Sequence, residues 1–318
     1  MISFVVTARN DSYAGDFVGR MQISLGTLSK LVDKYKLDIE YIIVEWNPPA
    51  GRPELSEVLR LPSWARVIKV PNELHTQQPM SDRIQLFEFV AKNTGIRRAK
   101  GKFILVTNPD IVFSDAIVEY LASTRLSADC YYRATRYDIL AEGGRVVRAN
   151  NPLCSIDYRN SSVSNIKKLA MACVVRVRYG HKPFTNASGD FLMMHRSNWL
   201  NLKGYPEIIG SDKHGRFHVD SFLLYMALSM KLKEVRLAAP IYHLEHERKS
   251  IVAVYSPLIE AIYQYFATNQ KGPFLFDSSS WASPLDKLQD TNSIHWGLGS
   301  IELEEGLCKA TFPEVGKE

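Results

Sequence analysis

Asn93-Thr-Gly-Ile-Arg-Arg-Ala-Lys-Gly-Lys-Phe-Ile-Leu-Val-Thr-Asn-Pro-Asp110 is the stretch on which the fold turns. Its first half continues a helix whose apolar stripe is Leu86, Phe89, Val90 and Ile96, spaced for a period of 3.6 residues. Asn93 and Arg97 fall inside that stripe. Polar groups on a buried face need partners, so Asn93 is expected to be buried and bonded to backbone or loop groups beside a ligand. Ile104-Leu-Val then supplies a short apolar strand, and Pro109, which cannot continue a central ladder, stops it just before Asp110. The carboxylate is thus delivered at the carboxyl end of a strand, where open α/β sheets hold their ligands.

Outward from this stretch the same alternation recurs. Short β-like runs at 3–7, 41–44, 66–70 and 103–106 are interleaved with helical ones at 15–35 and 85–100, which predicts a parallel, helix-covered sheet. Between 70 and 85 lies a polar loop carrying Pro71, His75, Gln77, Gln78, Pro79, Asp82 and Arg83, and loops of that length in a compact domain are usually functional or mobile. From about Leu126 the pattern changes to short mixed strands at 131–137, 145–148, 174–177, 191–195 and 235–242, with a helix over 220–231. No Gly/Ser-rich linker separates the regions, so one continuous globule is expected, with functional regions at 1–125, 126–246 and 247–318. The expected architecture is α/β: a Rossmann-like, mostly parallel central sheet flanked by helices, a smaller mixed region and a C-terminal helical extension. Within that extension, 251–267 is rich in Ile, Val and Tyr and reads as a core helix, a dimer surface or a peripheral membrane contact, with packing favoured because it lacks a basic face. Trp296-Gly-Leu-Gly299 reads as a turn carrying an aromatic.

Composition fits a soluble enzyme: 318 residues, 46% hydrophobic and 23% charged, are enough for a substantial core. A formal charge of only +5 with scattered basic residues argues against nucleic acid, while a mildly basic surface suits a diphosphate-bearing substrate. The four cysteines, Cys130, Cys154, Cys173 and Cys308, show no CxxC pair or zinc-ligand spacing and read as packing thiols of a reducing compartment. With a strand candidate at 2–6 and no apolar run of membrane-spanning length, a cytosolic protein is expected.

Ala91-Lys-Asn-Thr-Gly95 followed by Asn108-Pro-Asp110 resembles the nucleotide-sugar half of family 2 glycosyltransferases of the GT-A fold, where an Ala-Arg-Asn-x-Gly helix precedes a strand ending in Asp-x-Asp. The first acid is here an amide and the last is kept. The resemblance covers roughly residues 1–246. It implies a nucleotide-sugar pocket built from Thr7, Ala8, Arg9 and Asn10 after the first strand and from Glu45 and Asn47 after the second. To these it adds Asp82 and Arg83 of the polar loop, Asn93, Asn108 and Asp110. Arg9 is suited to a phosphate oxygen, and Glu45 to a base or ribose donor. Asn10, Asp11 and Asn47 read equally well as ordinary turn residues when each is taken alone.

Further along, the resemblance implies a divalent cation, Mn²⁺ or Mg²⁺, at Asp110, with His243 as a second ligand and His246 behind it in rank. Val219-Asp220 stands where the family carries Glu-Asp, which makes Asp220 the candidate base, although an Asp opening a helix also serves as a cap. Gly189 and Asp190, in Ala187-Ser-Gly-Asp-Phe191, are the candidate acceptor-binding residues. The implied activity is transfer of a sugar from a nucleoside-diphosphate sugar to a glycan or glycolipid hydroxyl, with inversion. The rivals are a sugar-nucleotidyltransferase, for which 9–15 holds too few glycines, and a non-catalytic nucleotide- or glycan-binding relic, motivated by Asn108 and Val219. A dinucleotide-binding dehydrogenase is disfavoured because no G-x-G-x-x-G follows the first strand.

Overall fold

The computed structural model describes residues 1–11, 15–123, 125–142, 145–150, 188–207, 219–244, 246 and 292–307. A single 10-stranded sheet organises them. Its centre is the parallel block β3 (Ala65–Val70), β2 (Ile39–Trp46), β1 (Ile2–Ala8) and β4 (Phe103–Thr107), adjacent in that order. Every residue of β1, β2 and β4 is buried, which accounts for their near-continuous Val, Ile and Leu runs: strands covered on both faces do not alternate. Helix α1 (Phe17–Tyr35) covers one face with Phe17, Met21, Leu25, Leu28 and Val32. It begins where the Asp16 side chain accepts from the Gly19 amide.

Two short helices, α2 (Leu55–Val58) and α3 (Asn72–Thr76), follow β2 and β3, so the stretch expected as a polar loop contains a helical turn. Helix α4 (Glu88–Arg98) covers the opposite face, with Val90, Ala91, Ile96 and also Asn93 turned inward. Gly95 lies against the sheet, and a Cβ there would meet Val5 Cγ1 at 2.5 Å and Val44 Cγ2 at 3.1 Å. The glycine of the motif is therefore a packing requirement.

Strands in mixed orientation extend the block on one side and an antiparallel strand on the other. β5 (Ile111–Phe113) leaves the Asp110 turn and leads into α5 (Asp115–Ala122). β6 (Cys130–Glu142) and its hairpin partner β7 (Arg145–Asn150) follow, then β8 (Phe191–His195), α6 (Arg196–Asn201), α7 (Val219–Ser229) and β9 (Lys233–Leu244). β8 pairs antiparallel with β4, β6 joins β8, β9 runs parallel to β6, and β5 closes on β9. On the far side, β10 (Glu304–Leu307) pairs antiparallel with β3. The described part of the expected helical extension is thus a turn and a strand. The expected strand at 174–177 and the stretch 251–267 lie outside the described residues, as do Cys154, Cys173 and Cys308; Cys130 is a free, partly buried thiol. Among the described residues no helix is long and apolar enough to cross a membrane.

The amino ends of the strands carry a structural network. Arg66 donates to Glu40 (3.4 Å), Glu305 (2.6 Å) and the Arg98 carbonyl (2.7 Å), and Glu40 also accepts from Ser3 and the amides of Lys100 and Gly101. The carboxyl ends are left for the site.

Candidate active site

Strand register, more than sequence proximity, assembles the centre of the site. Asp110 occupies the turn between β4 and β5. Because β5 pairs antiparallel with β9, Ile111 stands opposite His243, and the Asp110 carbonyl accepts from the Leu244 amide at 3.2 Å. The Asp110 Oδ2 atom lies 3.6 Å from His243 Nε2 and 3.4 Å from His246 Nε2. Arg20, from α1, brings its Nε to 3.8 Å of the same oxygen, and Ser24, one helical turn on, donates to the Ile111 carbonyl and ties α1 to β5. Burial alone would raise the Asp110 pKa, but the hydrogen bond from His246 and the electrostatic interactions with His243, His246 and Arg20 outweigh it and hold the carboxyl below its ordinary value.

Asp110, His243 and His246 present ligand atoms within 4.8 Å of one another. The parallel register of β6 on β9 sets Asp138 beside His243, and Asp138 Oδ1 lies 3.0 Å from His243 Nδ1. A proton on Nδ1 satisfies that contact and leaves the Nε2 lone pair aimed at the Asp110 carboxylate. Two lone-pair donors at this distance need a cation, or a histidine proton, between them. The residues therefore fit a divalent cation on their own chemistry.

A second cluster adjoins the first. Antiparallel pairing of Thr107 with Phe191 brings Asn108 next to Asp190. Asn108 Nδ2 donates to Asp190 Oδ1 at 2.6 Å, while Asn108 Oδ1 accepts from Lys92 Nζ at 3.1 Å. An amide can do both; an aspartate at 108 would set two carboxylates against each other. Lys92 is 0% exposed, and its ammonium also donates to Glu88 (2.6 Å) and the Gly189 carbonyl (3.1 Å). The other oxygen of Asp190 accepts from Arg136 Nη1 at 2.7 Å, so both oxygens are occupied. Asp220 lies in the first turn of α7, is only partly buried, and accepts from the Ser188 hydroxyl through Oδ2. Ser188, Gly189 and Asp190 thus bind Asp220, Lys92 and Asn108 in succession.

The residues expected to line a nucleotide pocket divide into groups. Register pairs Ala8 with Glu45 across β1 and β2, and Thr7 is buried beside them. Arg9 Nε donates to the Asn47 carbonyl at 2.8 Å and its Nη1 to Asp11 at 2.9 Å. Asn47 adopts φ 49°, a conformation Asn tolerates, and its side chain accepts from Asn72 at 3.0 Å. Asn10 donates to the Pro53 carbonyl. Glu45 is 0% exposed and both its oxygens accept from the Leu55 amide, at 3.0 and 3.1 Å. Burial lifts its pKa to about 7, against the opposing effect of the Leu55 N–H. Asp82 and Arg83 are exposed and pair with each other at 3.6 Å. Asn93 is buried, but its amide faces another segment: it donates to the Tyr205 carbonyl (2.7 Å) and Glu207 (2.9 Å) and accepts from the Tyr205 amide (2.7 Å). The Trp296 turn packs on the same helix, with Arg97 over the indole ring at 5.1 Å and Arg98 donating to the carbonyls of Gly297, Leu298 and Ile301.

Four residues of this arrangement escaped the sequence reading: Arg20, Lys92, Arg136 and Asp138. Three of them carried a signal. Glu88 and Lys92 are four apart on a helix, and Arg136 and Asp138 are two apart on a strand and so share a face.

No protein-family model matches the sequence, and no curated protein sequence matches it. Among solved structures, the chain is similar to the mannosyltransferase PcManGT from Pyrobaculum calidifontis in complex with GDP-Man and Mn²⁺. The TM-score is 0.45 and the identity 13%, over 91% of this chain and 73% of that one. It is also similar to the catalytic domain of Drosophila β1,4-galactosyltransferase 7 in complex with xylobiose (TM-score 0.40, 8% identity, 77% of this chain and 71% of that one). A third likeness is to residues 1–349 of TarS from S. aureus (TM-score 0.42, 12% identity, 76% of this chain and 60% of that one).

Proposed function

We propose that this chain is a metal-dependent glycosyltransferase of the GT-A type. It would move a sugar from a nucleoside-diphosphate donor to a hydroxyl of a glycan or glycolipid, in the cytosol or on the inner face of a membrane. The observation that carries the reading is the meeting of Asp110, His243 and His246 at the carboxyl end of β4, next to the turn that holds Asp190 and Asp220. Asp110 and His243 would hold the cation, with His246 as third ligand. Two imidazole nitrogens are poor ligands for Mg²⁺, which favours Mn²⁺ of the two expected ions. When bound, the cation supplies charge for the oxygens of the departing diphosphate.

The acid–base role falls to Asp220. One of its oxygens is engaged by Ser188 and the residue is partly exposed, whereas Asp190 is buried with both oxygens bonded. Asp220 would take the proton of the acceptor hydroxyl as that oxygen attacks the anomeric carbon, a single displacement with inversion. Gly189 and Asp190 would shape the acceptor side. Thr7, Ala8, Arg9, Asn10, Glu45 and Asn47 would form the nucleoside side.

Thermal-shift measurements with nucleoside diphosphates, with and without Mn²⁺, test the reading, because a ligand that binds only the folded chain raises its melting temperature. A shift that requires Mn²⁺ is expected, and Asp110→Asn should abolish it while melting as the wild type does without ligand. If no diphosphate shifts the wild type, or if Asp110→Asn responds as the wild type does, the reading fails. A second reading, a nucleotide- or glycan-binding protein without turnover, is favoured by Asn108 and Val219 at positions where acids were expected. Slow hydrolysis of any member of a nucleotide-sugar panel would exclude it.

A further inference from the structure

Arg136 and Asp138 point to the same side of β6, and together they connect His243, on β9, with Asp190, in the turn before β8. Asp138 stands beside His243 in the ladder, with its Oδ1 at 3.0 Å from Nδ1. Arg136 Nε lies 3.1 Å from that same Oδ1, and Nη2 lies 3.4 Å from Oδ2. The remaining arm, Nη1, reaches Asp190 Oδ2 at 2.7 Å. One guanidinium therefore spans two carboxylates. The first orients a histidine of the Asp110 cluster, and the second belongs to the turn whose Ser188 holds Asp220.

We propose that Arg136 is a positioning residue that couples cation binding to the acceptor side of the site. Through Asp138 it fixes the His243 ring with Nε2 facing Asp110, and through Asp190 it sets the 188–190 turn. The proposal rests on reading Asp110 and His243 as cation ligands. A carboxylate behind a ligating histidine fixes its tautomer and raises its basicity, so the ring orientation depends on where that carboxylate is held. Arginine suits the task because its planar fork can serve two carboxylates at once, which the single ammonium of a lysine cannot do with the same geometry. Asn108 complements the link. It donates to the one oxygen of Asp190 that Arg136 leaves open, so Asp190 has a single orientation.

The test is Mn²⁺ titration of the full chain, followed by the loss of the free-ion electron paramagnetic resonance signal. Asp138→Ala should weaken Mn²⁺ binding by about 10- to 100-fold, the usual cost of removing the partner of a ligating histidine. Arg136→Ala touches no ligand, yet it should weaken binding by about tenfold for the same reason. The double variant should bind no more weakly than Asp138→Ala alone, because both changes act through one path. Arg136→Lys should recover part of the loss. Circular dichroism and melting curves establish that each variant is folded; if Arg136→Ala is not, Arg136→Lys takes its place under the same criterion. A folded variant that binds Mn²⁺ within twofold of the wild type overturns the proposal, and so does a double variant whose loss is the product of the two single losses. Failure of the wild type itself to bind Mn²⁺ would instead remove the cation reading, and this proposal with it. The two failures are distinguished by the wild-type titration.

Discussion

Replacing Glu45 by Gln should make the protein more stable in alkaline solution and leave it less affected near pH 5. Glu45 is fully buried at the end of β2 and binds the first amide of α2. Its pKa of about 7 in the folded chain lies above the ordinary 4.5 because burial penalises the charged form. The folded state therefore holds the proton more tightly than the unfolded chain does. Stability from this group is fully present below pH 4.5 and is lost as pH rises through 7. Linkage over that interval gives roughly 2.5 kcal/mol of stability lost between pH 5 and pH 8.5. Gln cannot ionise, so the difference in stability between variant and wild type should grow by about 2.5 kcal/mol between those two conditions. Any fixed cost of burying the extra amide donors cancels, because only the change with pH is read. Urea unfolding at the two pH values is the direct assay, and the difference in melting temperature between variant and wild type should likewise change by roughly 4 °C between them. A stability difference that stays the same at both pH values would show that Glu45 is ionised throughout in the folded chain, and the reasoning from burial would be wrong.

Asp220→Asn should lower transfer by about 100-fold or more while nucleoside-diphosphate affinity stays near the wild-type value; unchanged turnover would leave Asp220 with no role beyond its helix. Asn93→Leu removes three hydrogen bonds and leaves the partly buried Glu207 with the Gly297 amide but without its Asn93 donor, so urea unfolding should report a loss of about 3 kcal/mol, with faster amide exchange at 204–207. A larger effect on nucleotide affinity than on stability would return Asn93 to the donor site. Gly95→Ala, although Ala favours helix, should destabilise by about 1–3 kcal/mol because its methyl group would press on Val5 and Val44; a stabilised variant would refute that packing account.

The parallel block was legible because strands covered on both faces announce themselves as apolar runs, and because Pro109 marks the end of β4. Asp110 was legible for the same reason: it follows a strand that could only be central. The remainder of the centre is a product of register. His243, Asp138 and Asp190 are brought to Asp110 and Asn108 by three antiparallel or parallel pairings between β4, β5, β6, β8 and β9, and no periodicity within a strand reveals its neighbour. Asn93 shows the limit from the other side. Its place in the apolar stripe correctly indicated burial, but burial does not specify the partner, and the partner is the Tyr205 segment. The amide at 108, where the resemblance implies an acid, has a physical account once Lys92 and Asp190 are seen on either side of it.

The pairing of β10 with β3 has a bearing on how the chain is made. Residues 65–70 form a largely buried strand early in the sequence, yet the segment that covers their outer edge, 304–307, is synthesised more than two hundred residues later. Until it arrives, the edge of β3 presents unpaired backbone groups to any other extended chain, the usual route to intermolecular association. In the folded chain Arg98 ties the Trp296 turn to α4, and the Arg66–Glu305 ion pair fastens the strand that follows. Closure of the sheet is thus a long-range event. Among the described residues it is 304–307 that covers this edge, so nascent chains that lack it are the species on which chaperone dependence should concentrate.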